Sequence, residues 1–165
     1  MKTFIFTSLL CVLCFFNINA QQTIYMKASH DLTPFTGTWI GTKDNTTYEI
    51  TFKKGIREVE LNDINYTIEL VFTSSVKWLK NGILIREFTT NAPKAILEGT
   101  VSDSNALLLA SVVYYDEEKG YNGEGYFRIN AQNLRKAKLY LNSISLGKNR
   151  GKMDLPTNME LTKVK

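Results

Sequence analysis

The chain has 165 residues, with 20 Lys and Arg against 16 Asp and Glu, one His and two Cys, for a formal net charge of +4. One histidine cannot build a zinc site of several imidazoles, and charges that alternate in sign, with few basic concentrations, argue against a nucleic-acid stripe.

The first 20 residues read as an export signal. Lys2 supplies a positive start, and an almost unbroken apolar stretch runs from Phe4 to Phe16. Ala20 then provides a small residue before Gln21-Gln22. This three-part pattern predicts secretion with cleavage after Ala20, into the periplasm or outside the cell. The stretch falls short of the ~20 apolar residues that span a bilayer, so no transmembrane segment is expected in the mature chain. Cys11 follows Leu9-Leu10 and Cys14 follows Val12-Leu13, which is the wrong context for a lipid anchor. Both cysteines would leave with the signal. That removes disulfides, thiolate nucleophiles and cysteine-ligated metals together.

Residues 21–34 show no period and read as an N-terminal extension. From 35 to 165 short period-two segments separated by turn residues predict one β domain. Phe35-Thr36-Gly37-Thr38-Trp39-Ile40-Gly41 is the first expected strand, and Lys43-Asp44-Asn45 the first turn. Tyr48, Ile50 and Phe52 share one face of the next. The strongest signal is residues 64–72, where Ile64, Tyr66, Ile68, Leu70 and Phe72 share one face and Val71 is the apolar exception on the other. A bend is expected at Ser74-Ser75. Asn81-Gly82 between apolar runs is a type I′ hairpin signal, since both central residues need positive φ. Residues 95–101 turn through Ser102-Asp103-Ser104-Asn105 into residues 106–115, which are apolar on both faces. Residues 116–122 read as an acidic loop. Residues 125–130 and 135–142 form a hairpin around Gln132-Asn133, and residues 143–156 a Gly- and Lys-rich connection suited to a lid. Residues 159–164 close the chain.

About nine strands and no helical period predict a single antiparallel up-and-down β-barrel of 8–9 strands, with a β-sandwich as the alternative. The Gly37-x-Trp39 strand, the hairpins and the closing strand together resemble the calycins: lipocalins, fatty-acid-binding proteins and avidins. The resemblance implies that Trp39 plugs the barrel floor beside a base, with Arg128, Lys138 or Lys163 as the partner. Biotin chemistry is not implied: Trp39 and Trp78 are the only tryptophans, and Asn45, Thr46 and Thr47 do not match the avidin set. The chain also looks like an uncharacterised group of small exported bacterial proteins ending in a segment like Leu155-Pro156-Thr157-Asn158-Met159-Glu160-Leu161-Thr162-Lys163-Val164.

Catalysis finds no purchase in this sequence. His30 lies in the unpatterned extension, away from any strand that would position it between a nucleophile and a carboxylate. Asp116, Glu117 and Glu118 with Asn122 and Glu124 offer oxygens for calcium, but the spacing of a calcium loop is missing and a solvated hairpin end is the simpler reading. No cofactor, no metal and no enzymatic activity are expected. The aromatic and aliphatic positions remain. Tyr66, Leu70, Phe72, Tyr115 and Phe127 are the candidate lining of a pocket, with Gly37 and Trp39 structural. The expectation is a non-enzymatic binder of a small apolar or amphipathic ligand. The rival is a structural or protein-interaction module whose barrel is filled.

Overall fold

Three pairs of left-handed residues set the early register. Asp44 and Asn45 (φ 50° and 60°), Asn62 and Asp63 (52° and 61°) and Asn81 and Gly82 (52° and 79°) each close a two-residue hairpin. Asn, Asp and Gly tolerate positive φ, and this turn type matches the twist of the strands it joins. The computed structural model describes residues 22–91, 96–116, 121–144 and 153–164.

Eleven strands follow in chain order: β1 (Gln22–Met26), β2 (Gly37–Lys43), β3 (Thr46–Leu61), β4 (Ile64–Lys80), β5 (Ile83–Thr89), β6 (Leu97–Gly99), β7 (Val101–Ser102), β8 (Asn105–Asp116), β9 (Tyr121–Asn130), β10 (Asn133–Ile144) and β11 (Asn158–Lys163). Eight of them close an antiparallel barrel in the order β4-β3-β2-β11-β10-β9-β8-β6, with β6 pairing back onto β4. The closure is brief: Val71 lies opposite Gly99 and Phe72 opposite Glu98. β5 and β1 share the same edge of β4 beyond the closure, and β7 pairs with β8. No helix among the described residues is long and apolar enough to cross a membrane.

The interior is filled by the inward residues of alternating strands. Phe127 sits at its centre, with ring centroids 5.1 Å from Trp39, 5.3 Å from Phe52 and 6.1 Å from Phe35, all edge-to-face. That geometry places positive ring edges on negative ring faces. Around the rings pack Ile50, Val76, Leu109, Leu139 and Leu161, none more than 1 % exposed.

Several sequence expectations need correction. The unpatterned extension is not featureless: it contains β1, parallel to β4, and a one-turn 3-10 helix at Thr33–Phe35 whose Phe35 enters the core. Phe35 therefore precedes the first barrel strand, which begins at Gly37 with φ 100°. A side chain at that angle would be strained, so glycine is what lets the chain swing from the helical turn into the strand. β3 continues to Leu61, through charged residues that carry no alternating signal. The hairpin before β10 turns at Ala131-Gln132. The expected strand over residues 95–101 is interrupted after Gly99, and its first residue lies outside the described ones.

The largest correction concerns residues 64–72. Opposite Thr51 and Phe52, β4 carries one extra residue: Thr51 faces Ser75, Phe52 faces Thr73, and Ser74 is left over. The extra residue is a β-bulge, and it inverts which parity looks inward. Beyond it, even-numbered Val76 and Trp78 point into the barrel; before it, odd-numbered Val71 and Thr73 do. The apolar face of Ile64, Tyr66, Ile68, Leu70 and Phe72 is therefore the outer one, and Val71 is the residue that meets the core. Because β2 reaches only as far as Phe52, the distal halves of β3 and β4 leave the barrel. With β1 beside them they form a three-stranded arm.

Candidate functional site

Two ends of the barrel and the outer face of the arm gather the chain's polar and aromatic chemistry. At one end Trp39 is fully buried, its Nε1 donating to the Phe35 carbonyl at 2.9 Å. The Lys163 ammonium lies 5.4 Å from the centre of the indole and donates to the Pro34 carbonyl at 2.9 Å. Of the three cations the resemblance leaves open, Lys163 is the one beside Trp39. Burial pushes its pKa below the ordinary lysine value. The ammonium binds the helical turn to the barrel floor, and its charge rests on the ring face.

The opposite end holds a cluster that sequence reasoning missed. Arg86, from β5, donates to Asp116 at 2.9 Å and also to Asp154. Its guanidinium stacks 4.7 Å from the Trp78 ring centre. Trp78 Nε1 donates to the Asp154 carbonyl at 3.1 Å, and the Asp154 backbone N–H reaches the Tyr114 hydroxyl at 3.4 Å. Asp116 is 3 % exposed, so it is no solvated hairpin residue. Burial alone would depress the Arg86 pKa, but the hydrogen bond and charge of Asp116, joined by Asp154, raise it. Burial also drives the Tyr114 phenol well above its ordinary value, with the two carboxylates adding to the shift. A neutral phenol beside a doubly paired guanidinium holds structure together; it is poised neither as a base nor as a nucleophile. The cluster fastens the segment that carries Met153 and Leu155, both buried, to the barrel rim. Local sequence gives no sign of it, since Arg86 lies 30 and 68 residues from its two carboxylates. The remainder of the expected lid, residues 145–152, lies outside the described residues, as do Glu117 and Glu118.

The five expected lining residues do not come together. Phe127 is the centre of the filled barrel. Leu70 and Phe72 form a small buried pair of their own outside the main core, where the Phe72 ring lies over Gly55 so closely that an added Cβ would approach it to 2.6 Å. Tyr66 is half-buried on the arm, and Tyr115 is 47 % exposed on the outside of β8. Gly37 and Trp39 take the structural positions described above. His30 contacts the Asp103 carbonyl at 3.0 Å on the surface. No three His, Cys, Asp or Glu side chains among the described residues are grouped to hold a metal ion.

The outer wall carries one further aromatic feature. Tyr126 and Tyr140, cross-strand neighbours on β9 and β10, stack at 5.3 Å, and Arg128 lies 5.5 Å from the Tyr126 ring. On the arm, the Tyr25 hydroxyl donates to Glu69 at 2.6 Å and the Ala28 N–H to the same carboxylate at 3.0 Å, which ties β1 and its exit to β4. Those bonds hold the Glu69 pKa below the usual carboxylate range.

The family model described as "Family of unknown function (DUF6705)" matches residues 1–163. The chain belongs to that family. Neither a curated protein nor a solved structure matches it significantly. Membership therefore brings no activity with it, and the geometry alone has to suggest one.

Proposed function

We propose that this family member is an exported, non-enzymatic interaction module, a calycin-like barrel with a filled interior that engages its partner through its outer surface. The observation that carries the reading is Phe127. It sits where an open barrel of this size would hold a ligand, and its ring is enclosed by Trp39, Phe35 and Phe52. About eight strands leave an interior just wide enough for side chains or for one small molecule, and here side chains take the space. The buried Trp39 beside Lys163 supports the calycin kinship, because that pairing is what the resemblance implies. The signal pattern of residues 1–20 supports export with cleavage after Ala20.

Native mass spectrometry of the protein purified from its own source tests both halves. The expected species begins at Gln21 and carries no small molecule. A co-purified small ligand would overturn the surface reading in favour of a binder, and an intact Met1 or a lipidated cysteine would overturn the export reading.

A further inference from the structure

The arm presents an apolar face that the described residues leave largely unpacked. Register places Ile24 beside Tyr66 and Tyr66 beside Val59, with Leu61 beside Ile64 and Met26 beside Ile68, all on the outer side. Met26 is 48 % exposed and Leu61 58 %. At the base of this face the Arg57–Glu98 ion pair, joining β3 to β6, crosses β4 where Leu70 and Phe72 are buried. Among the described residues no such cover lies over the distal rows. A three-stranded sheet in a single layer with one apolar face is marginal alone, and an apolar patch of this kind marks an interaction site.

We infer that the distal outer face of the arm binds the same face of a second copy of this chain, as a two-fold pair with the arms antiparallel. The surfaces recommend this occupant by charge. The tip carries Asp63, and the base carries the exposed Lys53, which has no ion-pair partner among the described residues, whereas Arg57 there is already paired with Glu98. An antiparallel pair lays each acidic tip over the other's basic base while the aliphatic rows meet between them. A lipid surface fits poorly, since Asp63 would have to be desolvated with the tip. The edge of β5 also exposes Ile83, Leu84 and Ile85, but the register slips by one residue at Ile85, and a bulge blunts an edge against pairing.

This inference rests on the surface reading and names its partner. With only a few apolar rows on each copy to meet, the pair is expected to dissociate in the micromolar range or weaker. Sedimentation velocity of the chain from Gln21 over a wide concentration range should show a monomer–dimer equilibrium. Ile68→Glu should weaken it about tenfold or more, with the thermal midpoint of the barrel unchanged. Asp63→Lys should weaken it less, and Asp63→Lys with Lys53→Glu should restore it. A monomer at every concentration would overturn the inference, as would a dimer indifferent to these substitutions. A monomer that carries no small molecule leaves the surface reading standing; a co-purified small molecule defeats that reading separately.

Discussion

Strands β3 and β4 run through both the barrel and the arm, and the same two chains of residues behave differently in each. In the barrel their inward residues Ile50, Phe52, Val76 and Trp78 are at most 4 % exposed. In the arm most of their apolar residues stand on the outer side, Ile56 being the exception, and Leu61 is more than half exposed. Propensity and alternation are alike in both halves. What separates them is one extra residue at Ser74 and the point where β2 ends. Period-two alternation says that two faces differ; it does not say which one meets the core.

Truncation at the two places should expose the largest contrast. Phe127→Ala removes a ring with three aromatic neighbours in a filled interior and should cost about 3–5 kcal/mol. Tyr66→Ala, on the arm, should cost the isolated chain about 1 kcal/mol or less. Denaturant unfolding of both variants decides it. Similar losses would mean that the arm belongs to the same cooperative core as the barrel.

Arg86 offers an intermediate case, because it starts on β5 outside the barrel and ends against the rim. Arg86→Leu leaves the buried Asp116 without its guanidinium. Breaking a buried pair costs about 3–5 kcal/mol, and Arg86 retains some solvent contact, so about 2–4 kcal/mol is expected. The thermal midpoint should fall accordingly. A neutral outcome would mean that the cluster is dispensable to the fold.

Acid should sharpen the comparison with the smallest effect. Glu69 and Asp31 both have folded-state pKa values below their ordinary ones. Glu69 is held there first by the Tyr25 hydroxyl, and Asp31 by the Thr33 hydroxyl and N–H together with Lys54. A depressed carboxylate stabilises the fold above its unfolded pKa, and that contribution is lost as pH falls through the folded value. The tether of β1 and the helical turn should therefore loosen below about pH 4, the ordinary carboxylate value. Hydrogen exchange should show β1 amides losing protection there while β9 and β10 keep theirs. Equal loss in both would place the acid sensitivity in the barrel.

Residues alone determine much of this protein. Alternation at Tyr48, Ile50 and Phe52 and the turn residues Asn81-Gly82 specify β-strands and hairpins, because side-chain period and positive φ are local properties. Gly37 and Trp39 mark the entry to the barrel for the same local reason. Tertiary structure decided the rest. The bulge at Ser74 depends on how β3 and β4 pair, and the choice of Lys163 over Arg128 or Lys138 depends on which strand end closes over Trp39. The meeting of Arg86 with Asp116 and Asp154 depends on barrel closure bringing β5, β8 and the segment before β11 to one rim. Contacts across 30 to 68 residues leave no periodic trace in the sequence, because each partner's immediate neighbours are shaped by its own strand and not by the charge it will face.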